Sequence, residues 1–325
     1  MKKSLLLLTL LFVLTPVVNA GTLKFRNDNT FKIVQFTDLH YIHGNDDAKA
    51  ALENVNAVLE MEKPDLVIVT GDLIFGGPAE LSFRDVMKTF EKHNIPFAFT
   101  FGNHDDEYGM SRQELLNLGS QYSHNLSSTT PGITGTSNYV LEVKSSASDK
   151  VEELLYVFDS NTYAKHSGLS GIDGYEWIYQ DQIAWYCGLS EKYAASNSGM
   201  PVPSLAFFHI PLPEFAEAAE NQSTFLVGTR WEACCCPKIN TGLFAAMFGR
   251  NDVRGIFCGH DHNNDYTAIH HGVALCYGRY SGANTVYNNL KPNGARVIIL
   301  KEGSREFTTY LRLSNGQKLN EINIQ

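Results

Sequence analysis

Beyond its N-terminal segment, this sequence of 325 residues has no run apolar enough to cross a bilayer, which takes about 20 consecutive apolar residues. It also lacks a basic patch. Lys and Arg number 26 against 35 Asp and Glu, for a formal charge of −9. That balance disfavours nucleic acid as a partner, because such binding is driven by neutralising phosphates, and favours a small ligand held by local charge. Paired Cys-x-x-Cys spacing is missing too. The six cysteines, Cys187, Cys234, Cys235, Cys236, Cys258 and Cys276, do not form a zinc knuckle, and their spacing defines no disulfide partners. A disulfide within or from the Cys234–Cys236 run stays open. Cys258 and Cys276 lie in apolar runs and are expected as buried thiols. There is no internal repeat, low-complexity tract or linker.

The first residues, Met1-Lys2-Lys3, an apolar run from Ser4 to Val18, then Asn19-Ala20, have the form of a signal peptide: basic start, short apolar centre, small residue at the cut. The run is too short to span a membrane and Pro16 interrupts its end. Cleavage after Ala20 is expected, leaving residues 21–325 as one secreted or periplasmic domain, with no membrane association and a charge of −11 once Lys2 and Lys3 are gone. Asn125 and Asn221 each open an Asn-x-Ser sequon, a glycosylation site if the source is eukaryotic. Oligomeric state is not legible.

Along the chain, strands and helices alternate. Lys32–Thr37 is an apolar run ending in Asp38-Leu39-His40, and Asp46–Met61 has helical spacing. Asp65–Thr70 reads as a buried strand stopping at Gly71-Asp72. A helix over Glu80–His93 leads to a strand over Pro96–Phe101, which ends in Gly102-Asn103-His104-Asp105. Ser111 with Glu114 is a capping-box signal for a short helix to Leu118. After a loop at 119–137 come strands at Asn138–Val143 and Glu153–Asp159, a helix at Asp181–Ala195, and a strand at Leu205–Phe208 ending in His209. Pro211 and Pro213 bar an immediate helix or central strand there. A helix at Thr241–Phe248 precedes the strand Val253–Cys258, which opens into Gly259-His260-Asp261-His262. The tail, Asp265–Ile269, Val273–Tyr277, Ala295–Leu300 and Arg305–Leu313, reads as consecutive antiparallel strands. The βαβ rhythm gives an α/β fold: two packed mixed β-sheets flanked by helices.

Five strand ends thus carry polar residues: Asp38 with His40, Asp72, Asn103 with His104, His209, and His260 with His262. In extended backbone, residues two apart share a face, so His260 and His262 are expected to project together, as are Asp38 and His40, with Asp261 turned away. Singly, each has a structural reading: a cap, a turn, a satisfied core histidine. Together they fit the rule that α/β sheets gather ligands beyond the carboxyl ends of their strands. Carboxylate, amide oxygen and imidazole suit first-row transition metals.

The ordered set Asp-x-His, Gly-Asp, Gly-Asn-His-Asp, lone His and Gly-His-x-His, running from Asp38 to His262, closely resembles the calcineurin-like metallophosphoesterase superfamily. The runs Phe207–Pro213, Gly259–Asp265 and Leu275–Arg279 are similar to its purple-acid-phosphatase-related branch from plants, fungi and bacteria. The resemblance implies an αββα sandwich and a dinuclear site of two Mn, Fe or Zn ions. Asp38, His40 and His262 would hold one metal, Asn103, His209 and His260 the other, and Asp72 would bridge. Two divalent ions against two carboxylates and a bridging hydroxide leave about +1 for a phosphate to meet. The implied reaction is hydrolysis of a phosphomonoester by in-line attack of metal-bound hydroxide, with His104 assisting the leaving group and Asp105 orienting its ring.

One position departs from the purple enzymes. Their metal-binding Tyr, three residues after the bridging Asp, is Phe75 here, so Fe(III) preference and the phenolate colour are not expected; His40 follows the wider superfamily. A phosphodiesterase or nuclease, and a metal-bearing binding protein without turnover, are the competing readings. Arg279 is the leading candidate to grip phosphate bidentately, with Tyr41, Tyr277 and Tyr280 behind it; Trp177 and Trp185 read as core.

Overall fold

A computed structural model of the chain describes residues 22–221 and 225–325. The expected signal segment, 1–20, lies outside them, as do Gln222 and Ser223 of the second sequon. In chain order, β1 (Thr30–Phe36), α1 (Lys49–Glu62), β2 (Leu66–Thr70), α2 (Ala79–Glu91) and β3 (Phe97–Thr100) form a parallel βαβαβ unit. Then follow α3 (Arg112–Gly119), β4 (Tyr139–Lys144), β5 (Val151–Val157), α4 (Gln180–Ser196), β6 (Ser204–Phe207), α5 (Pro213–Glu220), β7 (Leu226–Val227) and α6 (Leu243–Arg250). The chain closes with β8 (Val253–Cys258), β9 (Thr267–His270), β10 (Val273–Tyr277), β11 (Gly294–Lys301), β12 (Phe307–Leu313) and β13 (Lys318–Ile324). One sheet has the order β13-β12-β11-β1-β2-β3 and the other β4-β5-β6-β8-β10-β9-β7.

The two sheets pack face to face, and the strands obey the period of two. Phe31, Ile33, Leu66, Ile68 and Ala98 meet Leu155, Val157, Leu205, Phe207 and Phe257 between the sheets. Their neighbours of opposite parity, Val34, Phe36, Val67, Val69, Phe97 and Phe99, pack under α1, α2 and α3. Leu154, Tyr156, Ala206, Ile256 and Cys258 pack under α4, α5 and α6, with Trp185 against them. A strand covered on both faces needs an unbroken apolar run, which is why these runs do not alternate. The capping box at Ser111 is present: the Glu114 carboxylate accepts from the Ser111 N–H at 2.8 Å.

Two expectations are corrected. Pro213 does not bar a helix; it is the first residue of α5, the position where its missing N–H costs nothing. The tail is not one antiparallel run: β9 and β10 join the seven-stranded sheet, with β10 parallel to β8, while β11, β12 and β13 join the six-stranded one. The intervening stretch, 278–293, crosses from sheet to sheet. β13 went unread because its largely exposed KLNEINI pattern is that of a polar edge strand. All six cysteines are free thiols. No helix among the described residues is long and apolar enough to cross a membrane.

At their carboxyl ends the sheets are tied by side chains bonding to backbone. Gln35 Nε2 donates to the Cys258 carbonyl at 3.0 Å, Thr100 Oγ1 to the Phe158 carbonyl at 2.7 Å, and Tyr139 OH to the Phe99 carbonyl at 2.7 Å. The largest tie is Arg296 on β11, fully buried, whose guanidinium donates to the carbonyls of Tyr277 and Asp265, both at 2.7 Å. Arg296→Met keeps the volume but strands both carbonyls in a dry interior, and a loss of about 2–5 kcal/mol is expected. Urea unfolding measures it; a midpoint unchanged from the parent would remove Arg296 from this role.

Candidate metal centre

Beyond β1 and β2 the backbones stay paired: Asp38 N–H donates to the Gly71 carbonyl at 3.1 Å, and His40 N–H to that of Asp72 at 3.0 Å. This places the Asp38 and Asp72 carboxylates side by side at the mouth of the seam. The loop after β8 closes on them. His260 N–H donates to Asp38 Oδ2 at 3.0 Å, and a Cβ at Gly259 would lie 1.8 Å from Thr37 Oγ1 and 2.6 Å from Asp38 Oδ2. The approach requires glycine. Gly102, after β3, is as constrained: a Cβ there would meet Asp72 Oδ1 at 2.1 Å.

The side chains resolve into two buried triads, Asp38 with His40 and His262, and Asp72 with His209 and His260; within each, one donor atom per residue lies within 4.8 Å of the others. Asp72 also faces the first triad. Its Oδ2 is 3.2 Å from His209 Nε2 and 3.6 Å from His40 Nε2, while Oδ1 accepts the His104 N–H at 2.9 Å. Imidazole nitrogens confront each other across the pit, His40 Nε2 to His262 Nε2 at 3.1 Å and His260 Nδ1 to His209 Nε2 at 3.2 Å. The far nitrogens of two rings are fixed by carbonyls: His209 Nδ1 bonds Thr70 O at 2.8 Å and His262 Nδ1 bonds Tyr287 O at 2.9 Å. Such bonds hold an imidazole with its other nitrogen free to ligate. Asn103 completes the set. Its Nδ2 donates to Tyr163 OH at 2.9 Å, and its Oδ1 is buried without a hydrogen-bond donor.

The donor set fits metal ions. Two carboxylates, four imidazoles and one amide oxygen, with no thiolate, match borderline first-row cations, and an orphaned buried Oδ1 is a cost that a cation would remove. Charge points the same way. Burial works against charge on Asp38, yet a hydrogen bond from His262 and the charge of His209 bring it down to about 2. Asp72 is likewise held well below the ordinary range, with burial again opposing, by His209 first among its neighbours. Burial would depress His209, but Asp72 wins and pushes it up to about 9. His40 and His260 are pushed down to about 3, chiefly by burial. Without metal, then, positive charge on His209 offsets part of the two carboxylates' charge, and Asp38 raises His262 as well, against its burial.

Residues 31–264 match the family described as calcineurin-like phosphoesterase. The chain belongs to that family. Among its relatives, a protein of Arabidopsis thaliana named probable inactive purple acid phosphatase 29 is 31% identical over 86% of this chain and 78% of its own length. Phosphatase DCR2 of Saccharomyces cerevisiae is 31% identical over 83% of this chain and 52% of its own. In fold, the chain is similar to a dimetal phosphatase from Danio rerio, with a TM-score of 0.63 at 13% identity, over 91% of this chain and 98% of that one.

Within this calcineurin-like frame, some expected placements change. Asp38, His40, Asp72 and His260 are not in extended backbone; their φ angles are +53°, +45°, +51° and +79°. His260 and His262 accordingly part, one to each triad, while Asp261 turns away to accept the Tyr277 hydroxyl at 2.6 Å. Asp105 does not orient His104. Its carboxylate is buried and accepts four backbone N–H groups, from Asp72, Leu73, Ile74 and Gly102, at 2.7 to 3.2 Å, so it shapes the loop that presents Asp72. The His104 partner is Glu107, whose Oε2 lies 2.6 Å from Nδ1. No motif signalled Glu107; only its i+3 spacing from His104 in a turn hints at it.

Arg279 does not reach the pit. It is buried, paired to Asp265 at 2.5 Å, and donates to the Pro292 carbonyl, an arrangement that locks the 278–293 crossing. Tyr277 is engaged by Asp261, and Tyr41 OH donates to Asp85 at 3.1 Å. Tyr280 alone of the tyrosine candidates touches the centre, 4.8 Å from the His262 ring. Tyr163, Tyr175 and Tyr287 were not read from sequence, since they sit in loops with no pattern. Tyr175 meets the His260 ring edge-to-face at 4.3 Å and Tyr287 stacks on His262 at 4.4 Å.

A metal entering this centre has to displace the His209 proton. Below about pH 9 the ring is protonated, so apparent affinity for Zn or Mn should rise with pH and level off above that value, with release of protons. Metal titration in weakly buffered solution measures both; equal affinity at about pH 6.5 and about pH 8.5 would contradict it.

Proposed function

We propose that this chain is an exported dinuclear-metal phosphoesterase that hydrolyses phosphomonoesters. The observation that carries the reading is the position of Asp72 Oδ2, within reach of His40 on one side and His209 on the other, in a pit completed by the unpartnered Asn103 Oδ1. In this reading Asp38, His40 and His262 hold one ion, Asn103, His209 and His260 hold the second, and Asp72 serves both. Two ions held there, Mn, Fe or Zn, would neutralise phosphate charge, activate water and stabilise both the entering and the leaving oxygen.

The remaining work falls to the chain. His104 stands at the rim, its ring 5.7 Å from that of His40, with its side chain about a quarter exposed. Glu107 engages Nδ1, which leaves Nε2 to donate a proton to the leaving alkoxide. Phe75 fills the corner between those rings, 4.9 Å from each. It excludes water beside His40 and supplies no oxygen. Burial of the pit within a dry sandwich strengthens each of these interactions.

The word inactive in the name of the plant relative favours a second reading, a metal-bearing protein without turnover. Against it stand the complete donor set and the rim histidine with its carboxylate partner. Hydrolysis of p-nitrophenyl phosphate and of its bis-ester, by protein reconstituted with Mn, Zn or Fe, separates the readings. Monoester turnover is expected, lost in Asp72→Ala and reduced about 10²–10⁴-fold in His104→Ala at unchanged metal content. Diester preference would make it a phosphodiesterase, and absence of turnover with every metal would favour the binding role.

Phe75 gives a separate check that needs no turnover. Iron-loaded protein should show no phenolate charge-transfer colour, and Phe75→Tyr, whose new hydroxyl would extend from a ring already beside His40, should introduce it. A visible band of that type in the parent protein would mean that another tyrosine reaches the metal.

A further inference from the structure

A cavity of about 490 Å³ is lined by Asn103, Tyr163, Lys165 and His166, and also by Asp106 and Glu107. The charges around it are unequally matched. Asp106 lies 3.6 Å from Arg112 Nε and Glu107 is taken by His104 at 2.6 Å. Among the described residues no carboxylate forms an ion pair with Lys165. Its amine instead sits over the Tyr163 ring, 5.1 Å from the centroid, a cation–π contact of modest strength.

Short links tie the exposed Lys165 and its turn to the pit. Tyr163 OH accepts from Asn103 Nδ2 at 2.9 Å, and the Tyr163 ring stacks on Tyr175 at 5.7 Å, which in turn meets His260. Lys165 belongs to a single 3-10 turn, Ala164–His166, anchored by the buried Ala164, whose N–H donates to the Gly174 carbonyl at 2.9 Å. A cation thus stands one tyrosine ring away from Asn103, whose unpartnered Oδ1 belongs to the pit.

We infer that this cavity is a leaving-group subsite for a second anionic group, so that the preferred substrate is a phosphomonoester whose alcohol carries a carboxylate or a further phosphate, held by Lys165. The inference rests on the phosphomonoesterase reading and names its substrate class. The acids that also line it are each engaged by another side chain, Asp106 by Arg112 and Glu107 by His104, which leaves Lys165 as the cation there without a carboxylate partner.

The test compares ω-phosphooxy alkanoates of two to six carbons with the alkyl phosphates of equal length, using metal-loaded full-length protein. The carboxylated ester is expected to have the higher kcat/KM at one chain length, by about fivefold, less at high salt. The ratio should fall to about one in Lys165→Ala and be retained in Lys165→Arg. Calorimetric binding of 3-phosphonopropionate against propylphosphonate reads the same preference without chemistry. Tighter binding of the carboxylated compound, abolished by Lys165→Ala, supports the subsite even where no ester is turned over, and only the phosphomonoesterase reading then fails. Equal treatment of both members of each pair, or a preference that survives Lys165→Ala, overturns the subsite.

Discussion

Two carboxylates, Asp38 and Asp72, are buried at the seam between two apolar sheets, and the rest of the structure is arranged to make that tolerable. An uncompensated charge there would cost several kcal/mol. The polar contacts around the pair supply positive or donor character: backbone N–H groups of His260 and His104, the Thr37 hydroxyl, and the imidazoles of His40, His209 and His262. Arg296, Gln35 and Thr100 hold the two sheets in register just behind. Each triad draws its members from both sheets, so the packing of one sheet on the other sets the geometry of the centre.

The backbone reflects the same requirement. Four of the seven proposed ligands, Asp38, His40, Asp72 and His260, occupy left-handed conformations, each costing of order 1–3 kcal/mol for a residue with a Cβ. Nothing local favours them. They persist because their surroundings over-determine them: continued pairing of the loops after β1 and β2, the four N–H bonds to Asp105, and the glycine-only approaches at Gly102 and Gly259. Asp105 thereby fixes the loop that carries Asp72. Other left-handed non-glycine residues, such as Lys63 and Asn251, close helices, whereas these four meet at one buried site, the kind of place where strain accompanies function.

This also explains what could be read from sequence. Strand ends were legible because buried parallel strands leave unbroken apolar runs, and the polar residue closing each run is conspicuous against them. Val253–Cys258 and Val273–Tyr277 match their observed bounds. Side-chain direction was not legible, because the period-two argument assumes extended backbone, and the ligand loops abandon it at the residues that matter. Arg279 was misplaced for a related reason. Its spacing after an apolar strand resembles that of the ligands, but a guanidinium matches a carboxylate as well as a phosphate, and Asp265 is nearer. Glu107 and Tyr163 come from a turn and a loop whose positions only tertiary packing decides.

Net charge and site charge are separate quantities in such a protein. The chain carries −9 overall, which would seem to repel a phosphate dianion, yet at physiological salt a surface charge is screened beyond about 8 Å. Within the pit the local balance decides. The metal-free centre holds two carboxylates against the His209 proton and partial positive charge on other rings, close to neutral or negative, so phosphate has little reason to enter. Two divalent ions held there would reverse that sign where burial weakens screening by water. On the proposed reading, metal loading creates the substrate's binding site as well as its chemistry. Affinity for a phosphate analogue should then follow metal occupancy even in a variant, such as His104→Ala, that cannot complete the reaction.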